Sequence, residues 1–92
     1  MKLKDRIAIV TGASKGIGLA CAERFAADGA TVIMSDVDDG AGEAAAKTIG
    51  ATYMHCDVSK ASEVNALVEA VVRRFGAIDI LMNNAGIGPE NL

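Results

Sequence analysis

The chain has 92 residues, 51% of them hydrophobic and 23% charged, with a formal net charge of -3. This length fits one small domain with one core. The composition excludes a disordered chain and makes nucleic acid a poor partner, because phosphate neutralisation needs clustered Lys and Arg. Every apolar run is too short for a membrane span of about 20 residues or for a secretory signal, so we expect a cytoplasmic protein that makes no membrane contact.

Short apolar runs alternate with helical patterns along the whole chain. The apolar runs predict four buried strands, over residues 7–10, 31–35, 52–56 and 78–82. The segments between them predict three helices, over residues 16–28, 43–49 and from about 59 to 75. Each helix is followed by a glycine that can end it, namely Gly29, Gly50 and Gly76.

Capping residues mark the starts of the second and third helices. Asp38 and Asp39 stand where N-caps stand, and Ser59 is expected to cap the third helix, with Glu63 in its first turn. The third helix carries one apolar stripe at helical spacing, formed by Val64, Leu67, Val68, Val71, Val72 and Phe75.

The alternation of strands and helices predicts βαβ units. We therefore expect an α/β, Rossmann-like fold with three layers (αβα), in which right-handed crossovers give a parallel sheet in the order 3-2-1-4. Strands that are apolar on both sides agree with a sheet covered by helices on both faces. In this truncated doubly wound fold the fourth strand lies at an edge and leaves apolar surface uncovered.

A glycine-rich turn joins the first strand to the first helix. Residues 11–18 read TGASKGIG, so the glycines are spaced GxxxGxG. One glycine turns the chain off the strand, another lets a phosphate approach the backbone, and the third lets the helix pack tightly on the sheet. The spacing matches the common GxGxxG fingerprint only in part. A phosphate P-loop requires GK[ST] four residues after its first glycine, and Ile17 stands where that sequence would begin, which disfavours an NTPase.

Acidic residues follow the second and third strands. Asp36 lies 18 residues beyond Gly18, close to the spacing of about 20 expected for an acid that binds ribose hydroxyls. Asp38 and Asp39 can serve as caps, which leaves Asp36 for a ligand. Asp57 ends the third strand and is either a second ligand contact or a residue that stabilises its own turn. All these positions fall at the carboxyl edge of the sheet, where open parallel sheets bind ligands.

Four motifs in this order resemble the short-chain dehydrogenase/reductase family over essentially all 92 residues: TGASKGIG, Asp36, Asp57-Val58 and Asn83-Asn84-Ala85-Gly86. The resemblance implies that the pyrophosphate and ribose region contacts Gly12, Ser14, Gly16, Ile17 and Gly18. It implies that Asp36 binds the adenosine ribose and that Asp57 and Val58 contact the adenine. It places Asn83, Ala85 and Gly86 beside the nicotinamide-side ribose.

The same resemblance implies an NAD(P)-dependent oxidoreductase that transfers hydride between a nicotinamide cofactor and a small alcohol or carbonyl substrate. Residues 1–92 would form its N-terminal NAD(P)-binding Rossmann portion. Family members are usually more than twice as long, and their catalytic Ser and Tyr-x-x-x-Lys would lie beyond Leu92. The only tyrosine here is Tyr53, with Asp57 in place of the lysine. We therefore assign no catalytic residue, expect this chain alone to be inactive, and expect a homo-oligomer when complete.

Asp36 and Lys15 favour different nicotinamide cofactors. A carboxylate suits the ribose 2′-hydroxyl of NAD, whereas the 2′-phosphate of NADP would meet it as a like charge at a cost of roughly 4 kcal/mol. Lys15 resembles the basic position that NADP-preferring relatives use. We predict a preference for NAD, with NADP binding possible through Lys15.

Two other classes of function remain open from the residues alone. An S-adenosylmethionine-dependent methyltransferase fragment also has a glycine turn after its first strand and acids after the next two. A non-catalytic nucleotide-binding module needs the same cleft and no catalytic residues. Cys21 and Cys56 lie in no CxxC pattern and near no histidine cluster, so we expect no metal site.

Overall fold

The computed structural model describes residues 2–84, which form a parallel sheet with helices on both faces. The strands β1 to β4 are Ile7–Thr11, Thr31–Ser35, Thr52–Tyr53 and Ile80–Asn83. The helices α1 to α3 are Gly16–Ala27, Asp39–Ile49 and Ala61–Phe75. The strand order is β3-β2-β1-β4, which confirms the order expected from the sequence.

The sheet divides the apolar interior into two halves, instead of the one core that the length suggested. Ile9 pairs with Ile33, and Val10 pairs with Met34. Because successive strand residues point to opposite faces, Ile9 and Ile33 pack with α3, whereas Val10 and Met34 pack with α1 and α2. These four side chains are fully buried. The continuous apolar strands thus supply both halves of the interior.

Strands β3 and β4 differ from their predicted bounds. β3 covers only Thr52–Tyr53, although 52–56 was predicted, because it lies at the edge with one neighbour. Its continuation still follows β2, since the N–H groups of Met54 and Cys56 donate to Met34 and Asp36. β4 begins at residue 80 because Asp79 bonds β1 by itself, both through its N–H and through its side chain.

The helix starts also correct the sequence prediction. Helix α2 begins at Asp39, earlier than residue 43, because the side chain of Asp38 accepts a hydrogen bond from the N–H of Ala41. Asp38 is therefore the cap, as expected. Ser59 does not cap α3: its hydroxyl donates to Asp57, and Lys60 holds the N-cap position without a side-chain bond.

The apolar stripe of α3 is only partly covered. Leu67 and Val71 are buried against the sheet, whereas Val72 is 45% exposed. Leu81 on the edge strand β4 is 56% exposed. The expected uncovered apolar surface is therefore present beside β4. Within residues 2–84, no helix is both long and apolar enough to cross a membrane.

Candidate functional site

A cleft of about 550 Å³ opens at the carboxyl ends of the strands. It is lined by Gly12, Lys15, Gly16, Ile17, Asp36, Val37, Cys56, Asp57, Val58, Ser59 and Asn84. These residues come from the turns that follow all four strands, so the cleft exists only once the sheet has formed. Its volume falls in the range of roughly 300–1,000 Å³ typical of small-molecule sites.

The glycine turn brings the start of α1 to this cleft. Gly12 and Gly16 have φ of 61° and 62°, a left-handed conformation that side chains with a Cβ disfavour. Lys15 is the N-cap of α1, but its side chain makes no capping bond, and the first turn contains no acidic residue. The first N–H groups of a helix have no partner within it. The start of α1 therefore offers backbone donors and a positive dipole end to an anion.

Gly18 lies at the closest approach between α1 and the sheet. A Cβ there would overlap the carbonyl oxygen of Gly12 and lie 2.8 Å from Nδ2 of Asn84. That amide donates to the same Gly12 carbonyl at 3.2 Å. The absence of a side chain at Gly18 thus lets the turns after β1 and β4 meet, which is the tight packing predicted for the third glycine.

Asp36 lies at the end of β2 and is held by protein donors. Its Oδ2 accepts from the N–H and the hydroxyl of Ser14, at 3.1 and 2.6 Å. Its Oδ1 accepts from the N–H groups of Val37 and Asp38, at 2.7 and 3.4 Å. The carboxylate thus lines the cleft with four protein donors already bound to it. A ribose hydroxyl would have to share or replace one of these donors.

The same contacts keep Asp36 ionised. Burial by itself raises the pKa of Asp36, but the hydrogen bonds from Ser14, and then from Val37 and Asp38, outweigh it and leave the pKa below its ordinary value. Ser14 is buried and oriented toward Asp36. In this structure its direct role is therefore to orient Asp36.

The turn after β3 forms another part of the cleft. Oδ1 of Asp57 accepts from the N–H and the hydroxyl of Ser59, at 3.0 and 2.6 Å. The bond from the Ser59 hydroxyl, followed by that from its N–H, lowers the pKa of Asp57. Asp57 thus stabilises its own turn and also lines the cleft beside Val58.

The end of β4 bonds the neighbouring strand β1 and also reaches the cleft. Oδ1 of Asn83 accepts a hydrogen bond from the hydroxyl of Thr11 at 2.9 Å, and Asn83 lines a small apolar groove between β4 and α3. Asn84, its neighbour, lines the main cleft. Ala85 and Gly86 lie outside the described residues.

The structure therefore brings most of the expected residues into one cleft. Seven of them line it directly, namely Gly12, Lys15, Gly16, Ile17, Asp36, Asp57 and Val58. Ser14 and Gly18 support the cleft by bonding or packing against its walls, whereas Asn83 bonds Thr11 and lies outside it. Ile17 is 66% exposed and lines the cleft.

Sequence reasoning did not assign four of the residues that line the cleft: Val37, Cys56, Ser59 and Asn84. Asn84 had a usable signal, because it stands inside the motif 83–86 between residues that were assigned. The other three are neighbours of Asp36 and Asp57, and only the path of the chain after each strand shows that they line the cleft.

The arrangement suits an anion and a polyhydroxyl group, and residues 2–84 place no acid/base pair in it. Tyr53 and His55 lie on the α2 side of the sheet and do not line the cleft. Among residues 2–84, no group of three or more His, Cys, Asp or Glu side chains is placed to hold a metal ion. The cleft thus combines backbone donors that suit an anion with carboxylates that suit hydroxyl groups.

Comparisons with known proteins agree with this geometry. The short chain dehydrogenase family model matches residues 6–92. A short-chain dehydrogenase reductase, ATA1 of Arabidopsis thaliana, is 45% identical over 86 residues, which cover 94% of this chain and 32% of that protein. The chain spans about a third of the length of the curated relatives it matches.

Solved structures share the fold. A hydroxysteroid dehydrogenase from Escherichia coli superposes with a TM-score of 0.87 at 37% identity, over 92% of this chain and 37% of that one. A structure described as ribose-5-phosphate isomerase from Brucella melitensis superposes with a TM-score of 0.89 at 40% identity, over 94% of this chain and 34% of that one. The fold is common to both, whereas the activities in their descriptions differ.

Proposed function

Because this chain belongs to the short-chain dehydrogenase family, we propose that its cleft binds a nicotinamide dinucleotide. One observation carries the proposal: a helix start without a side-chain cap and a fixed, ionised carboxylate line the same cleft. A dinucleotide presents a pyrophosphate and ribose hydroxyls, which are the groups that these two features bind. The family membership favours this ligand over a methyl donor.

Each part of the ligand has a proposed partner. The pyrophosphate contacts the turn at Gly12, Gly16, Ile17 and Gly18, and the adenosine ribose contacts Asp36, which Ser14 orients. The adenine lies against Asp57 and Val58. The nicotinamide-side ribose lies near Asn83, Ala85 and Gly86, and we add Asn84 because it lines the cleft.

The residues that are present fit a dinucleotide. Gly18 removes the side chain that would otherwise separate α1 from Gly12 and Asn84, so the backbone stays close to where the pyrophosphate would lie. No side chain blocks the start of α1, since that of Lys15 is exposed and makes no capping bond. The cleft is therefore shaped by backbone on one side and by the Asp36 carboxylate on another.

We propose NAD as the preferred cofactor. The Asp36 carboxylate is ionised and fixed in the cleft, so a 2′-phosphate would bring a second negative charge close to it. Lys15 also lines the cleft and is exposed. Its flexible, hydrated ammonium group offsets only part of that repulsion, which leaves NADP as the weaker ligand.

We further propose that the complete protein is an oxidoreductase acting on an alcohol or carbonyl substrate, as the dehydrogenase relatives suggest. The bound nicotinamide supplies the hydride chemistry. The residues of this chain bind and orient the cofactor, and the acid/base residues belong to the part of the family's length that this chain does not span. A homo-oligomer and a cytoplasmic location complete the proposal, and sedimentation and cell fractionation test them.

Calorimetric titration of the chain with NAD, NADP and S-adenosylmethionine tests the binding proposal. We expect NAD to bind, NADP to bind more weakly, and the methyl donor not to bind. If the methyl donor binds and NAD does not, the proposal is overturned. If NADP and NAD bind equally well, the cofactor preference is overturned. For the complete protein, NAD-dependent interconversion of an alcohol and its carbonyl compound tests the activity.

A further inference from the structure

Tyr53 does not line the cleft, but its hydroxyl contacts Asp36, which does. Its hydroxyl oxygen lies 2.7 Å from the carbonyl oxygen of Asp36 and 2.6 Å from Oδ1 of Asp39. The same Asp36 carbonyl accepts from the N–H of Cys56 at 3.1 Å. Tyr53 and Cys56 thus both hold the carbonyl oxygen of Asp36, while Ser14 holds its carboxylate.

Further contacts extend from Asp39 toward the turn after β3. Oδ1 of Asp39 lies 2.6 Å from Nδ1 of His55, and Nε2 of His55 lies 3.7 Å from Oε1 of Glu63. That same Glu63 oxygen accepts from the N–H of Asp57 at 2.9 Å. A continuous series of polar contacts therefore joins Asp36 to Asp57, the two acids proposed to hold the adenosine.

Helix α2 has a glycine where the tyrosine ring lies. A Cβ on Gly42 would overlap the Cε1 atom of Tyr53, whereas a Cβ on Gly40, two residues earlier, would meet nothing closer than Asp38 at 3.9 Å. Glycine inside a helix costs about 1 kcal/mol relative to alanine. At Gly42 the missing side chain leaves room for the Tyr53 ring, which packs directly on the backbone of α2.

Tyr53 is unsuited to acid/base chemistry in this position. Burial, followed by the hydrogen bond and charge of Asp39, raises the pKa of Tyr53 far above its ordinary value. The hydroxyl therefore keeps its proton and remains a hydrogen-bond donor. That proton faces two acceptors, the Asp36 carbonyl and the Asp39 carboxylate, so the hydroxyl links α2 to the end of β2.

We propose that Tyr53 is a positioning residue for the adenosine end of the cofactor, acting through the main chain of Asp36. This inference rests on the proposed function. The N–H groups of Val37 and Asp38 bond the Asp36 carboxylate only while the turn after β2 keeps its shape. Tyr53 holds the peptide from which that turn begins, and the Tyr53 hydroxyl thereby sets the direction of the carboxylate.

The substitution Tyr53→Phe tests this in the full chain, because it removes only the hydroxyl. We expect the amides of Val37 and Asp38 to exchange hydrogen faster while those of Ile9 and Val10 keep the parent rate. We expect NAD to bind about three- to tenfold more weakly, as for one lost hydrogen bond. A merely structural role would change exchange at Ile9 and Val10 as well.

The two readouts separate this inference from the proposed function. If the parent chain binds no NAD, the proposed function fails, and exchange at Val37 and Asp38 alone decides whether Tyr53 orders the turn. Unchanged exchange there overturns the inference. Faster exchange with unchanged NAD affinity overturns the link to the cofactor.

A second pair of variants keeps the tyrosine intact. Gly42→Ala should displace the ring and reproduce both effects of Tyr53→Phe, whereas Gly40→Ala should leave NAD affinity at the parent value. Equal NAD affinity in these two variants would contradict the proposal, because only a Cβ at position 42 meets Tyr53.

Discussion

The starts of α1 and α2 lie at the same edge of the sheet, but their first backbone N–H groups differ in whether a side chain accepts a hydrogen bond from them. Helix α2 is capped by Asp38, and Asp39 in its first turn bonds Tyr53. Helix α1 has no side-chain cap and no acid in its first turn, and it opens on the cleft. A capped helix start needs no ligand, whereas an uncapped one retains donors and a positive dipole end for an anion.

This difference divides structural and binding roles between the two βα turns. In the turn into α2, the polar side chains form hydrogen bonds with other groups of the protein, and these bonds fix Asp36. The turn into α1 forgoes a cap that is typically worth about 1 kcal/mol, and a bound phosphate would supply the missing acceptor. We therefore propose that the polar side chains at the start of α2 contribute mainly to stability, and that the start of α1 contributes to ligand binding.

The largest expected effect comes from Gly18→Ala, which removes the close approach of α1 to Gly12. The new Cβ would overlap a backbone carbonyl that cannot move without moving the turn, so we expect a loss of roughly 1–3 kcal/mol in the free energy of unfolding and loss of NAD binding. Denaturant unfolding and calorimetry measure the two effects. Gly40→Ala in α2 is the matched control, and a similar loss there would contradict the explanation.

Asp36→Asn should change the choice of cofactor. Removing the negative charge abolishes the repulsion of a 2′-phosphate, so the ratio of NADP to NAD affinity should rise by at least about tenfold, or about 1.4 kcal/mol. Any loosening of the cleft that weakens the binding of both cofactors equally leaves this ratio unchanged. Asp28→Asn, at the far end of α1 where Asp28 bonds Arg24, should leave the ratio unchanged.

The two N-cap residues can be compared directly by alanine substitution. Asp38→Ala should lower the free energy of unfolding by about 1 kcal/mol, because the N–H of Ala41 loses its acceptor. Lys15→Ala should leave it unchanged, since Lys15 makes no capping bond, and should instead weaken NADP binding. Equal destabilisation by both variants would show that the two helix starts do not differ as described.

The smallest expected effect is a pH dependence at α2. The hydrogen bond to Asp39 raises the pKa of His55 above its ordinary value, and the charges of Asp39, Glu63 and Asp57 add to this. Stability from this pair is therefore fully present below about pH 6.5, the pKa of an unfolded histidine, and is lost as pH rises through the folded pKa.

An NMR titration of the imidazole measures this shift directly, because His55 is the only histidine of the chain. Asp39→Asn should lower its pKa toward the ordinary value. Identical midpoints in the parent and the variant would show that Asp39 does not stabilise the charged ring. No comparable titration is expected from α1, whose first turn contains no acidic residue.

Much of the fold and part of the site were predictable from particular residues. The apolar runs through Ile9 and Ile33 predicted buried parallel strands, and the strand order followed from the handedness of crossovers. The motif TGASKGIG and the spacing to Asp36 predicted the two main features of the cleft. Asp38 was predicted as a cap because a side chain of that type before a helix has a local reason to be there.

Other residues were beyond such reasoning because their roles depend on which of several possible partners they bond, near or far along the chain. Ser59 looks like an N-cap, but its hydroxyl donates a hydrogen bond to Asp57 instead. Asp36 looked available, but Ser14, 22 residues away, bonds it. Asn84 reaches Gly12 across 72 residues. Local sequence preference does not encode which of several short-range and long-range partners a polar side chain takes.

The sequence alone therefore determined the alternation of elements, the parallel sheet and the glycine turn, because periodicity, handedness and glycine geometry are local properties. Only the tertiary structure decided which polar side chains hold the cleft and which face it. It brought the Tyr53 hydroxyl to the Asp36 carbonyl and the Tyr53 ring to Gly42, and it oriented the Ser14 hydroxyl toward the Asp36 carboxylate. The reason is physical: a hydrogen bond between strands depends on register and layer, and these exist only after the sheet has assembled.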